Sequence, residues 1–373
     1  MKFSIKKEVL LQNLTAVSKA LSSKNLIPIL SGIKFNLTNN GLFLSASDND
    51  ISIECFIDKE KLEKIDRVGA TVIQGKYILE IIRKLEGKVV NIELLDGIKV
   101  LISCGNSEFN LNCMEAEEFP NLDLEEKKSP VILKCDLFKE LINKTSFAVS
   151  TQETRPILTG INFIIKENKL ECISTDSYRL AKKHVILDKK SDEDINIVIP
   201  GRNLIELTKI IENDDKNIEL HIFNNKVLFK FDNIMFQTRV LSGTFPDVKR
   251  LIPESFELEV KANTNELFNV IDRASLLTSE KDKNIIKFEC KKNEVIITSN
   301  SPEIGRVEER MIVEKNNNND ISIAFSSKFM MDAIRTIESK DVILCFNNDV
   351  KPIIVKDDND DTLLQLILPI KTY

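Results

Sequence analysis

The sequence is poor in the residues on which many enzymes and metal proteins depend. Among 373 residues there is no tryptophan, and there are only two histidines, His184 and His221. The seven cysteines are scattered and never form a Cys-x-x-Cys pair. Neither a zinc site nor a disulfide framework is therefore indicated, and reduced thiols in the cytoplasm are the simplest interpretation. We expect no metal, no cofactor and a cytoplasmic protein.

Two further absences concern membranes and nucleic acids. No stretch approaches 18 consecutive apolar residues, so no transmembrane helix is expected. Residues 1–7 also lack the apolar run that is typical of a signal peptide. The formal net charge of −6 argues against a grossly basic nucleic-acid binder but leaves room for a local basic face. The 42% of hydrophobic residues is enough to form the cores of roughly two or three soluble domains.

What the chain does contain is a long internal repeat. The segment 28–35 matches 156–163 at an offset of 128, and 72–76 matches 198–202 at an offset of 126. A third copy of the latter, 324–328, follows after another 126 residues. Several anchors at nearly one spacing are hard to produce by chance, so we predict three homologous domains. The predicted domains span 1–125, 129–253 and 254–373.

Each repeat combines helical and strand periodicity. Leu10, Leu14 and Val17 fall on one helical stripe, whereas residues 42–46 alternate as a half-buried strand does. Asp136 and Thr264 are predicted to cap helices. The fold class is therefore α+β, with two helices packed on an antiparallel sheet of about eight short strands in each domain. The six predicted helices span 8–21, 75–86, 136–149, 201–211, 264–277 and 326–338.

Catalytic motifs are mostly missing, since there is no GxSxG, P-loop, GxGxxG or HExxH. Asp48, Asp50 and Asp176 could hold Mg²⁺ in a nuclease or other hydrolase. A turn or cap role is favoured instead, because Asp50 is replaced by Tyr178 and the first aspartate by Asn300 in later repeats.

The acidic run 357–361 allows two interpretations. Its oxygen side chains could form a metal site, but calcium loops need a particular spacing with a glycine that is absent here. A solvated hairpin loop is therefore favoured.

Several motifs accompany the threefold repeat. They are MKFSI at 1–5, LIPIL at 26–30, STDSYRLA at 174–181, FPD at 245–247 with Arg250, and LPI at 368–370. Together with the repeat they make the whole chain resemble the bacterial DNA polymerase processivity clamps, the sliding-clamp beta subunits of DNA polymerase III. Proteins of this kind have no catalytic activity of their own.

The resemblance implies a head-to-tail homodimer in which six domains close a ring, with twelve helices lining the hole. Such a ring encircles duplex DNA, slides along it and tethers the polymerase. The implied partners are a second copy of the chain, duplex DNA, the DNA polymerase III alpha subunit, the clamp loader, and repair polymerases and other proteins with a clamp-binding motif; no membrane is involved. The metal-dependent hydrolase stays as the alternative.

The resemblance also assigns residues to three surfaces by position. The implied DNA contacts are Lys24, Lys76, Arg83, Gln152, Arg202 and Arg239. The implied dimer interface comprises Phe109, Leu111, Leu276, Leu277, Glu303 and Glu308, with Lys76 facing one of the two glutamates. The implied peptide groove between the second and third domains comprises Arg155, Leu158, Thr175, Ser177, Tyr178, Arg179, Leu180, Pro246, Arg250, Leu251, Pro352, Leu366, Ile367, Leu368, Pro369 and Ile370.

The chain departs from the family pattern in three places, one of which is Pro156-Ile157 after Arg155, where aromatic residues are common. Ser177 and Tyr178 stand where Gly-His is common, which predicts a differently shaped wall. The chain also runs on to Lys371-Thr372-Tyr373, slightly beyond the usual end.

Overall fold

Six α-helices lie where the hydrophobic stripes predict them. In the computed structural model, which describes residues 1–21, 27–212, 214–279 and 284–371, they are α1 (Lys7–Val17), α2 (Gly75–Lys84), α3 (Cys135–Thr145), α4 (Gly201–Thr208), α5 (Thr264–Ser275) and α6 (Ser327–Ile334). The starts of α2, α4 and α6 lie 126 residues apart, as the repeat predicts. The helices end earlier than predicted, in part because α1 and α3 tighten into 3₁₀ turns at Ser18–Ala20 and Ser146–Ala148.

Both predicted helix caps are wrong. The cap of α5 is Asn263, whose side-chain oxygen accepts from the Glu266 N–H at 3.0 Å. Thr264 is already helical, and its hydroxyl donates to the Ser339 carbonyl at 2.9 Å. Asp136 lies in the first turn of α3, where its charge favours the helix dipole. The predictions fail because a strand runs directly into each of these helices, so that the capping position is the last residue of the strand.

The first repeat contains nine strands in the described ranges. They are β1 (Lys2–Lys6), β2 (Gly32–Thr38), β3 (Gly41–Ser47), β4 (Ile51–Asp58), β5 (Leu62–Arg67), β6 (Gly69–Gln74), β7 (Val89–Leu95), β8 (Lys99–Cys104) and β9 (Ser107–Met114).

The second and third repeats follow the same plan. The second contains β10 (Val131–Lys134), β11 (Gly160–Lys166), β12 (Lys169–Thr175), β13 (Arg179–Ile186), β14 (Ile195–Pro200), β15 (Asn217–Ile222), β16 (Lys226–Phe231) and β17 (Ile234–Arg239). The third contains β18 (Leu258–Asn263), β19 (Ile285–Lys291), β20 (Glu294–Ser301), β21 (Gly305–Ile312), β22 (Glu314–Lys315), β23 (Ile321–Ser326), β24 (Asp341–Phe346), β25 (Ile353–Asp357) and β26 (Asp360–Ile367).

The chain divides into two compact units, and the second repeat contributes to both. The first unit joins residues 1–136 with 206–240. Its described strands form one antiparallel sheet in the order β10-β15-β16-β17-β4-β3-β2-β6-β9-β8-β7-β1-β5. The first and second repeats meet in this sheet where β17 pairs with β4, with Phe236 opposite Ile53. Strand pairing therefore crosses the repeat boundary.

The second unit joins residues 137–205 with the chain from Leu241 onward. It has a sheet in the order β14-β11-β12-β13-β26-β25-β24-β18-β22 and a smaller one in the order β21-β20-β19-β23. The second and third repeats meet where β13 pairs with β26, with Leu180 opposite Leu366.

Helices cover the sheets through the predicted stripes. Leu10, Leu14 and Val17 of α1 are fully buried, and α1 packs against α2. In the second unit α5 packs against α6 over a core in which the rings of Phe288 and Phe346 stack with centroids 5.5 Å apart. An apolar face of a sheet must pack against another element, and here the helix pair covers that face.

Candidate functional site

The predicted groove residues of the second unit gather around the β13–β26 junction. Beyond the paired strands, the Leu368 N–H donates to the Tyr178 carbonyl at 2.9 Å, so the C-terminal segment continues alongside the loop before β13. Leu180 and Leu366 belong to an apolar cluster with Val248, Ile354 and partly buried Leu368. The junction thus brings the motifs near 178, 248 and 368 into one region.

The loop that precedes β13 is fixed by its own side chains. One carboxylate oxygen of Asp176 accepts from the N–H groups of Tyr178 and Arg179 at 2.9 and 3.0 Å. The Thr175 hydroxyl donates to the Arg179 carbonyl at 2.6 Å. Ser177 has a positive φ of 78°, which this turn requires. The turn projects the Tyr178 ring outward, and the side chain is 63% exposed.

Arg179 does not line an open surface. It is only 9% exposed, and its guanidinium donates to Asp176 at 3.0 Å and to Asp332 at 2.7 Å. The guanidinium also lies 4.5 Å from the centre of the Phe329 ring. Because its donors are engaged within the chain, Arg179 positions the loop that carries Tyr178. No motif in the sequence pointed to Asp332 and Phe329, which come from α6.

The remaining groove residues divide by exposure. Five besides Tyr178 are exposed: Arg155, Ser177, Pro246, Arg250 and Leu251. Four are half-buried: Pro352, Leu368, Pro369 and Ile370. Five besides Arg179 are buried: Leu158, Thr175, Leu180, Leu366 and Ile367. An exposed rim over an apolar floor is the usual anatomy of a site for a short peptide.

The predicted DNA contacts lie on several elements. Lys76 and Arg83 are both exposed on α2, seven residues apart and so on one helical face. Gln152, Arg202 on α4 and Arg239 at the end of β17 are also exposed. Arg83 pairs with Glu80. Lys24 lies outside the described residues.

The predicted dimer residues lie at strand edges and at a helix end. β9 pairs with β8 along its length but with β6 only through Cys113 and Met114, so residues 107–112 have no partner on the β6 side within the described ranges. Phe109 on this strand is exposed and Leu111 is half-buried.

The second predicted dimer surface lies in the other unit. β21 is the edge of its sheet and carries Glu308, while Glu303 is exposed in the turn before it. Leu276, which ends α5, is 75% exposed, and Leu277 is half-buried. Hydrogen bonding to Arg310, at 2.8 Å, is the largest influence on the pKa of Glu308, and the nearby guanidinium groups keep it lowered. Glu308 thus already has partners within its own strand.

The aspartates of the alternative enzyme hypothesis are turn residues. Asp48 accepts from the N–H groups of Asp50 and Ile51 at 3.0 and 2.8 Å, which repeats the role of Asp176 one domain earlier. The favoured interpretation of these residues is therefore confirmed.

The acidic run 357–361 does form a hairpin turn, but the prediction that it is solvated is wrong for two of its members.

Those two members, Asp357 and Asp360, hold parts of the second unit together. Asp357 is buried and accepts from the N–H groups of Glu338 and Asn359 at 3.2 and 3.0 Å. Asp360 accepts from Lys183 at 2.6 Å, and the Lys183 ammonium is in turn 2.9 Å from Glu140. Only 5% of the Lys183 side chain is exposed, so this cluster of charges is internal. No spacing along the chain connects Glu140, Lys183 and Asp360, so sequence reasoning could not find the cluster.

Three domain families match the chain in consecutive order. They are the N-terminal domain of the DNA polymerase III beta subunit over residues 1–123, its central domain over 132–247 and its C-terminal domain over 249–371. The three matches together cover nearly the whole chain.

Relatives and solved structures agree with the domain matches. The chain is 42% identical to the beta sliding clamp of Bacillus subtilis and 40% identical to that of Staphylococcus epidermidis, in each case over 100% of both chains. The crystal structure of the DNA polymerase sliding clamp from Bacillus subtilis superimposes with a TM-score of 0.96 at 41% identity, covering 100% of both chains. That of the beta subunit from Streptococcus pyogenes gives 0.95 at 32% identity with the same coverage.

The fold and these matches define a DNA clamp, built from three α+β domains with open antiparallel sheets. The chain belongs to the family of DNA polymerase III beta subunits, the beta sliding clamps. It is a non-catalytic processivity factor of DNA replication. The alternative of a metal-dependent hydrolase is therefore wrong. Within the described residues, no helix is long and apolar enough to cross a membrane.

Proposed function

We propose that two copies of this chain pair head to tail into a closed ring that encircles duplex DNA and slides along it. Each copy supplies three domains, at 1–125, 129–253 and 254–373. The ring is loaded by a clamp loader and tethers the DNA polymerase III alpha subunit, repair polymerases and other proteins that carry a clamp-binding motif.

The observation that carries the ring proposal is a pair of strand edges, at β9 and β21, that lack a partner strand within the described part of the chain. Exposed edges with apolar side chains are normally covered, because they invite pairing with another chain. β9 presents Phe109, and the region of β21 presents Leu276. Since the two edges belong to different units, their pairing between copies is heterologous, and a heterologous contact must close into a ring or grow into a filament.

A charge placed in the proposed interface tests the ring. We expect Leu276→Asp to convert a particle of about twice 42.5 kDa into a monomer in gel filtration with light scattering, because an unpaired carboxylate would be buried on pairing. Ile186→Asp is the matched control, since Ile186 is also exposed but lies at the end of β13. A dimer that survives Leu276→Asp would contradict the proposed interface.

The proposed peptide site is the groove at the β13–β26 junction. Its exposed rim combines the aromatic ring of Tyr178, the apolar side chain of Leu251 and the guanidinium groups of Arg155 and Arg250. Such a rim suits a short peptide that has a glutamine or acidic group and leucine or phenylalanine anchors.

Truncation of the rim tests the groove. We expect Tyr178→Ala and Leu251→Ala each to weaken binding of a fluorescent peptide with a glutamine and with leucine and phenylalanine anchors by about tenfold, because each removes an apolar contact worth roughly 1–2 kcal/mol. Ile186→Ala is the control for loss of an exposed apolar side chain elsewhere. Fluorescence polarisation measures the affinity, and unchanged values for both variants would place the peptide elsewhere.

A further inference from the structure

A second cluster of polar side chains lies in the first unit, whereas the groove residues belong to the second unit. The segment after β9 crosses β15 and β16 and is held there by side-chain contacts. The Lys127 N–H donates to His221 Nδ1 at 2.9 Å, and the Lys230 ammonium pairs with Glu126 at 2.7 Å. This arrangement brings Glu126 of the segment next to His221 of β15.

The imidazole of His221 is the unusual member of the cluster. The side chain is only 1% exposed, and its Nε2 atom is buried with no hydrogen-bond partner among the described residues. The carboxylate of Glu219 lies 3.3 Å from Nε2 but not in hydrogen-bonding geometry. Buried polar atoms are nearly always paired, so an unpaired nitrogen facing a carboxylate calls for a physical explanation.

We propose that His221, Glu219 and Glu126 bind a divalent transition-metal ion, most favourably Zn²⁺, with water as the fourth ligand. Glu219 and His221 are two residues apart on β15 and therefore share one face of the sheet. One ligand atom from each of the three side chains lies within 4.8 Å of the others. One imidazole and two carboxylates form a donor set that suits zinc better than magnesium or calcium.

The distance between Nε2 and Glu219 fits shared coordination. Ligand atoms about 2.0–2.2 Å from a tetrahedral zinc ion lie roughly 3.3–3.6 Å apart. The observed separation of 3.3 Å is at the lower end of that range and is longer than most hydrogen bonds.

The other imidazole nitrogen has a partner for either tautomer. In the structure Nδ1 accepts from the Lys127 N–H, so the proton of a neutral ring is on Nε2. The Lys127 carbonyl oxygen lies 3.2 Å from the same Nδ1. Zinc at Nε2 would leave the ring proton on Nδ1, and the Lys127 carbonyl would accept it once the Lys127 N–H turns away from the ring, as backbone carbonyls commonly orient metal-binding histidines.

Lys230 is the group that opposes the metal. Its ammonium forms an ion pair with the Glu126 carboxylate, which is one of the proposed zinc ligands. Lys230 also lies opposite Glu219 where β15 pairs with β16. Lys230 is partly exposed, so it can turn into solvent when the metal binds. We therefore expect removal of the Lys230 charge to strengthen zinc binding and removal of a ligand carboxylate to weaken it.

Zinc binding to the purified full-length chain tests the proposal. Competition with a chromophoric chelator measures the affinity, in a Cys113→Ser background because Cys113 is the cysteine that is not buried. We expect one equivalent of Zn²⁺, weakened at least about tenfold by Glu219→Gln or Glu126→Gln, and strengthened by Lys230→Met. His184→Gln, which removes the other histidine of the chain, should leave the affinity unchanged.

The same set of variants can overturn the proposal. Zinc binding that is absent in the parent, that survives both glutamine substitutions, or that is lost in His184→Gln would refute the site, and so would a Lys230→Met variant that binds no more tightly. His221→Gln removes a buried side chain and can destabilise the fold, so the exposed Glu126 carries the decisive comparison. Nitrogen-15 spectra of the two imidazoles should show a zinc-induced shift of the His221 signal alone.

Discussion

At the scale of single residues, burial separates side chains that are open to a partner from side chains that hold the fold. Tyr178 and Arg179 are neighbours in one motif, yet the ring of Tyr178 is exposed and the guanidinium of Arg179 is enclosed by Asp176, Asp332 and Phe329. The motif identified the loop that we propose as part of the peptide site. Only the tertiary environment distinguishes the exposed residue, which we propose to contact a peptide, from the enclosed residue that positions the loop.

The internal ion cluster makes part of the stability depend on pH. Burial alone would raise the pKa of Asp360, but hydrogen bonds from Lys183 and Thr362 outweigh it and lower the pKa to about 2. A carboxyl that is more acidic in the folded chain stabilises the fold at neutral pH. That stabilisation is lost as the pH falls from about 4, where the unfolded group titrates, to about 2.

Replacing Asp360 by a neutral residue should make the free energy of unfolding less dependent on pH below about pH 4. We expect Asp360→Asn to lower the free energy of unfolding at pH 7 by about 1 kcal/mol, an amount reduced by the partial solvent exposure of the group. The loss relative to the parent should shrink below pH 4. Urea unfolding between pH 2 and pH 7 measures it, with exposed Asp361→Asn as the control. A loss that is constant across this range would exclude titration of Asp360 as the cause.

At the scale of elements, the same turn and the same helix start recur at equivalent positions of the repeat. Asp48 and Asp176 cap equivalent turns, and α2, α4 and α6 begin at equal intervals. Residues 39–41, 96–97 and 224–225 are Asn, Asp and Gly, which are typical of hairpin turns, and each of these segments joins two paired strands. These local features could be predicted since neighbouring residues alone determine them.

Two hairpin glycines allow the cost of a positive φ to be measured with and without a steric clash. Gly41 has a φ of 147°, and a Cβ there would lie 2.2 Å from the Ile57 carbonyl oxygen, whereas Gly97 has a φ of 77° with nothing within 4 Å. We expect Gly41→Ala to cost at least about 2 kcal/mol of unfolding free energy and Gly97→Ala about 1 kcal/mol. Urea unfolding followed by circular dichroism measures both, and equal losses would show that the close approach at Gly41 is relieved cheaply.

At the scale of the whole molecule, the proposed function requires a particular distribution of charge more than a particular net charge. The net charge is −6, and the six helices hold nearly equal numbers of basic and acidic residues. A ring that holds DNA by enclosure needs only a few cations on its inner face, because tight phosphate contacts would oppose sliding. Lys76 and Arg83, on one face of α2, are the proposed cations of the first domain.

Reversal of these two charges should change the salt dependence of DNA binding. We expect Lys76→Glu with Arg83→Glu to reduce the slope of log affinity against log salt by about 0.9 for each phosphate that the protein no longer neutralises. Fluorescence polarisation with a labelled duplex measures the slope. Lys189→Glu is the control, because Lys189 is exposed in the segment between β13 and β14. An equal effect of that substitution would indicate a response to net charge and not to α2.

The sequence by itself determined the threefold repeat, the six helices, the hairpins and the family, because each depends on local periodicity or on short motifs. The tertiary structure decided which strands pair across repeat boundaries, as β4 does with β17 and β13 with β26. It also decided that Asp360 is paired internally and that Glu126 lies next to His221. Such contacts join residues about a hundred or more positions apart, and only the packed chain specifies which of many polar side chains meet.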